Sequence, residues 1–219
     1  MANAIVGTFE LVAVAIVMGV PIGISAGIYL AENPAKWLAR AVRFAADIMM
    51  GIPSIVIGIF VYAVMVKPLG GFSTLAGAAA LAIIMLPLVT RTTEEMILLV
   101  PAELREAALA LGIPRWRTTV SVVARAAAEG IATGIILAIA RIAGETAPLL
   151  FTAFGNRFWS TALTQPIASL TVQVYTYAIS PFADWQRQAW AGALVLTAIV
   201  LALEVGVRWI TRGRARIAR

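Results

Sequence analysis

The sequence predicts an all-α membrane protein, and three observations carry the prediction. Hydrophobic residues fill 61% of the 219 positions and charged residues only 13%, against about 25% charged in soluble domains. Mean hydropathy is +0.93. The apolar residues gather into five stretches, residues 4–31, 42–66, 74–92, 124–151 and 189–210, each matching the roughly 20 residues that a helix needs to cross about 30 Å of hydrocarbon.

The first stretch is longer than a straight crossing requires and carries Gly19, Pro21, Gly23 and Gly27 before ending at Asn33-Pro34, which predicts tilt or a kink around Pro21. It is too long for a removable secretory signal and no basic residue precedes it. Lys and Arg set the orientation. Residues 32–43, 91–125 and 208–219 hold three, five and five of them, residues 67–73 and 152–188 only one and two. The first group is therefore assigned to the cytoplasm. This leaves a cytoplasmic C-terminal tail, about 211–219, and an outside N-terminus, so a preceding helix is expected. Residues 152–188 carry Trp159, Tyr175, Tyr177 and Trp185, with Trp190 just beyond. These are ring types of the bilayer interface, and the segment is expected to lie along the outer surface. No internal repeat or separate soluble core is visible, so residues 1–219 are read as one membrane domain.

Several functions are excluded. The chain has no Cys and no His, which removes thiol nucleophiles, imidazole bases, disulfides and the usual zinc sites. An intramembrane hydrolase would lack its nucleophile and base. The net charge of +6 lies in loops beside apolar helices, so positive-inside topology and contact with membrane lipid explain it better than nucleic acid. Lys36 follows Ala35 and Lys67 follows Val66, so neither belongs to a Gly-Lys-Ser/Thr phosphate loop. No cofactor or metal is expected, and any ATP hydrolysis falls to a partner.

The stretch between the third and fourth spans, about 93–122, reads as two short helices, Thr93 to Val100 and Ala102 to Leu111, divided by Pro101. Thr92 and Glu95 have capping-box spacing, and Pro101 suits a first helical position. Gly112 before Ile113-Pro114 is a helix stop, with a restart expected at Trp116. The result is a compact knob suited to a groove on a soluble partner, with Ala107 and Ala108 small enough for close backbone approach. Trp116, flanked by Arg115 and Arg117, reads as an interfacial anchor.

Glu106-Ala107-Ala108, three residues and then Gly112 resembles the EAA motif of binding-protein-dependent ABC importer permeases, whose loop docks on an ATPase subunit. The chain departs from that pattern with Arg125 and Glu129 where prolines are usual. A longer likeness runs through Ala140-Arg141-Ile142-Ala143-Gly144-Glu145-Thr146-Ala147-Pro148-Leu149-Leu150-Phe151-Thr152-Ala153, which resembles the phosphate-transport permeases of the PstA type. Gly51-Ile52-Pro53-Ser54-Ile55-Val56, Pro87-Leu88-Val89-Thr90-Arg91-Thr92-Thr93-Glu94, Phe158-Trp159-Ser160-Thr161, Gln165-Pro166-Ile167-Ala168 and Ser180-Pro181-Phe182-Ala183 extend it over nearly the whole chain. The resemblance implies the five-helix core of type I ABC importer permeases. The family usually has six spans, and this chain begins at the equivalent of the second. It also implies the inner membrane of a bacterial cell, a dimer of ATPase subunits, a second homologous permease subunit and a periplasmic phosphate-binding protein. A sibling permease for sulfate or molybdate, or the second phosphate permease subunit, would share the fold and loop. A passive anion channel would have no use for a docking loop.

Charges inside the spans are candidates for the pathway, because each costs several kcal/mol there unless it faces protein or water. Arg141 and Glu145, four apart, are expected on one helical face. Arg141 could offer its planar fork to an oxyanion while Glu145 holds or releases it, or the two could form a permanent structural pair. The resemblance favours the first. Arg91, at the inner end of the third span, is a second candidate anion contact or a snorkelling arginine. Asp47 is expected to pair with an arginine of a neighbouring helix. Glu10 and Glu204 receive no role.

Overall fold

The computed structural model describes residues 1–156, 158, 159 and 162–215, with side chains of the last helix described to Gly206. Part of the quoted sequence likeness, Ser160 and Thr161, and the final four residues of the tail lie outside the described residues. Among the described residues the regular structure is helical, with one isolated bridge between Phe154 and Ile167. Helix α1 spans Ala2–Glu32, α2 Trp37–Gly51, α3 Ser54–Val61 and α4 Thr74–Leu98. They are followed by α5, Ala102–Ala110, α6, Arg115–Thr118, α7, Ala128–Ala143, and α8, Ala147–Thr152. Helices α9, Leu170–Ala178, and α10, Ala183–Ala215, complete the chain.

Three single helices are spans by length and hydropathy: α1, α4 and residues Ala183–Gly206 of α10. The spans expected at 42–66 and 124–151 are not single helices: each region falls in a bent pair, the second beginning at Arg115 and ending at Ala143, and the total is five if each pair is one span. Helix α2 meets Ser54–Leu69 at 105°, and Arg115–Ala126 meets α7 at 69°. Pro53 explains the first break, since it cannot donate to the helix ladder and disfavours helical geometry at Ile52, which is extended at ψ 129°. The second break, at Ala127, has no proline: the bend forms with Arg125 and Glu129 at the positions where the family's pattern has prolines. A π-helical turn, Thr119–Val123, lies one short α-helical stretch, Ala124–Ala126, before it.

The core is the seam between α1 and α4. Buried residues recur along α1 at Ala4, Gly7, Leu11, Ala15, Gly19, Gly23, Gly27 and Leu30, close to one residue per turn; Leu11, Ala15, Gly19 and Gly23 meet Leu81, Met85 and Val89 of α4, and Ala4 and Gly7 pack on Ala168. The backbones approach so closely that a Cβ on Gly27 would lie 2.6 Å from the Thr90 carbonyl oxygen. Replacing Gly27 with Leu should therefore push α1 off α4. We expect Gly27→Leu to lower the melting midpoint in detergent by about 5 °C, as overpacking by ~2 kcal/mol would. Gly71→Leu, in open space, should leave the midpoint unchanged.

Helix α4 is longer than the hydropathy suggested. It continues through Arg91, Thr92 and Thr93 to Leu98, so no separate helix starts at Thr93. Thr92 caps nothing: its hydroxyl donates to the Leu88 and Val89 carbonyls inside the helix. At the other end Ser73 is the cap, accepting from the Ala76 amide. The segment 152–169 does more than lie on a surface. Its carbonyls at Thr152, Gln165 and Leu163 accept the amides of Ser73, Thr74 and Leu75, satisfying the orphan donors of the start of α4. Ile167, Ala168, Leu170 and Thr171 are buried behind them.

Candidate functional site

Two regions carry the residues singled out from the sequence. The first is the projecting loop after α4. Pro101 stands at the N-cap of α5, and the helix closes with a Schellman turn: Gly112 N–H donates to the Leu109 carbonyl and Ile113 N–H to the Ala108 carbonyl. Gly112 takes φ +78°, a conformation that glycine reaches without steric cost. The chain restarts at Arg115, one residue earlier than expected. Glu106 and Ala107 are exposed and Ala108 is buried, packed inward. Leu104, Leu109 and Leu111 stand 44%, 41% and 81% exposed, too much apolar surface for a loop meant only for water. Arg105 braces the helix from below, pairing with Glu32 at the end of α1 and reaching the Ile97 carbonyl of α4 at 3.4 Å. Arg105 thus ties α5 to both central helices.

The second region surrounds Arg141. Helix α7 ends at Ala143, with Gly144 as its C-cap, and α8 opens with Pro148 in its first turn. Glu145 therefore lies beyond the helix, and the expectation that it shares a helical face with Arg141 is overturned. No ion pair joins them among the described residues. Glu145 is fixed through its backbone, its carbonyl accepting from the Thr171 hydroxyl at 2.9 Å. Arg141 is exposed on this chain and lines a small cleft with Met49, Met50, Ile52 and Ser54 at the 105° bend and Ile84 and Leu88 of α4. An arginine fork thus sits beside the break in the bent pair, where Ser54 opens α3 with no side chain capping it.

Arg91 is elsewhere and is engaged. It bonds Asp47 of α2 at 3.2 Å and Glu94 at 2.6 Å, and Asp47 thereby finds the arginine expected for it. Glu94 also receives Arg43 of α2, through Nη2 at 2.5 Å and Nε at 2.9 Å. Glu94 is 3% exposed. Sequence reading passed over it, although its i, i+3 spacing from Arg91 was a visible signal; Arg43, distant in sequence, had none.

The fold and these two regions define a class, an integral-membrane transporter subunit. The model for the binding-protein-dependent transport system inner membrane component matches residues 19–216. Solved structures agree in fold. An inward-facing form of the MetNI methionine ABC transporter superposes with a TM-score of 0.77 at 21% identity, covering 97% of this chain and 96% of its own. An amino acid ABC transporter gives 0.63 at 19%, over 98% and 92%. Among curated proteins, the phosphate transport system permease protein PstA of Yersinia pestis is 55% identical over 96% of this chain and 72% of its own length. The Haemophilus influenzae protein of the same name is 50% identical over 94% and 74%. A probable one from Methanocaldococcus jannaschii is 41% identical over 94% and 74%. The chain belongs to the PstA family of phosphate transport permeases, multi-pass proteins of the inner membrane.

Proposed function

We propose that this chain is the membrane permease subunit of an ATP-driven importer of inorganic phosphate, with Arg141 on the substrate path and α5 as the contact for a separate ATPase. The single observation that carries the path is the Arg141 cleft. A guanidinium near the end of an apolar helix, with no carboxylate partner among the described residues and set against a broken helix, is a charge held for an anion rather than for structure. Its planar donors match two oxygens of a tetrahedral oxyanion. Glu106, Ala107, Ala108 and Gly112 form the docking knob, and the Arg105–Glu32 brace carries its movement into the membrane. Alternating access by rigid-body motion of the spans needs no covalent step.

The assembly that fits this reading pairs the chain with a second, homologous permease, a dimer of ATPase subunits and a periplasmic phosphate-binding protein. The loop face and C-terminus are then cytoplasmic, and residues 1–219 act as one permease domain. The test is competition: in vesicles holding the complete complex, ATP-dependent uptake of labelled phosphate should persist in excess sulfate or molybdate. Uptake that either anion suppresses as well as phosphate does would move the assignment to a sibling oxyanion permease.

A further inference from the structure

We infer that Glu94 is the positioning residue of an inner gate, a latch of four charges that closes the path between the Arg141 cleft and the loop face. This inference rests on the reading of that cleft as part of the anion path. Arg91 lies three residues beyond the cleft-lining Leu88 on α4, and Asp47 lies three residues before the cleft-lining Met50 on α2. At 1.5 Å of rise per residue, both sit roughly one helical turn nearer the loop face than the cleft. An anion leaving Arg141 in that direction meets Arg91 and Arg43 next.

In this structure both arginines are occupied. Glu94 holds Arg43 with one carboxylate oxygen and Arg91 with the other, and Asp47 takes the remaining side of Arg91. The cluster carries two positive and two negative charges, so it presents no free cation to an anion. It also fastens α2. Of that helix only Ala39 and Ala46 are buried, while Trp37, Phe44 and Ile48 are 73%, 67% and 49% exposed. With so little of α2 packed in the core, these ion pairs are the polar ties between α2 and α4 among the described residues.

A phosphate and a carboxylate compete for the same guanidinium donors. Arrival of the oxyanion at Arg91 and Arg43 releases Glu94, unfastens α2 from α4 and opens the inner end. Departure of phosphate returns the arginines to Glu94 and closes it. The gate thereby opens only when an oxyanion is present to replace the carboxylate.

The chain's lack of cysteine makes the test clean. Met49 lines the cleft and is half-buried, so Met49→Cys in the assembled complex reports access from the loop face to a membrane-impermeant thiol reagent. Glu94→Gln should raise the alkylation rate at least tenfold without phosphate, and phosphate should raise it in the parent but not in the variant. Asp47→Asn, at a half-exposed carboxylate, should raise it about threefold and leave assembly intact. Unchanged alkylation in an assembled Glu94→Gln complex overturns the latch. If that variant does not assemble, unchanged alkylation in Asp47→Asn does so. Alkylation is read separately from uptake, so the latch can fail while the role of Arg141 stands, and failure of that role shows in uptake.

Discussion

Replacing Arg141 with Gln is expected to reduce ATP-dependent phosphate uptake by about 100-fold or more while the complex still assembles. A charge-assisted hydrogen bond is worth about 1.5–3 kcal/mol, and a forked pair loses two of them. At about 1.4 kcal/mol per factor of ten, the lower end of that range already gives two orders of magnitude. Arg141→Lys keeps the charge but not the fork and should recover only part of the rate. Assembly is expected to survive because Arg141 is exposed and holds no ion pair in the described structure. The check is uptake of labelled phosphate into vesicles normalised to assembled complex. Equal uptake by parent and variant would make Arg141 a structural residue.

The second large effect is expected at the docking helix. Ala107 is exposed beside Glu106, and an arginine there should hold a partner surface off the helix without disturbing the fold. Ala107→Arg is expected to weaken co-purification of the ATPase subunit more than tenfold and to abolish phosphate-stimulated ATP hydrolysis. The comparison is Ala108→Arg. Ala108 is 5% exposed, so that change strikes the chain's own packing and should lower its melting midpoint. Ala107→Arg with undiminished ATPase binding would remove α5 from the interface.

Much of the fold was legible because its signals are local. The apolar runs placed α1 and α4, and Gly112 before Ile113-Pro114 marked the end of α5 at its Schellman turn. What was not legible depends on partners distant in sequence. Arg91 and Glu94 end the hydropathy of the third span at residue 92, yet the helix continues to Leu98, with Arg43 and Asp47 pairing to them from α2. Beyond the 105° bend at Pro53, Gly58 packs on Pro148, a contact that no local pattern encodes. The bend at Ala127 is made without the expected proline.

The candidate site divides the same way. Arg141 was visible as a charge in an apolar run. Its surroundings were misread because four-residue spacing puts Glu145 on the same face only if the helix continues, and it stops at Ala143. The cleft that Arg141 does line is built from α2, the Pro53 break and α4, three segments that spacing along α7 could not connect.

The most direct measurement is accumulation of labelled phosphate inside vesicles that contain the complete complex, with and without ATP. The account predicts an internal concentration rising well above the external one with ATP and no transport without it. Equilibration to the external concentration regardless of ATP would contradict it and make the chain part of a passive anion path.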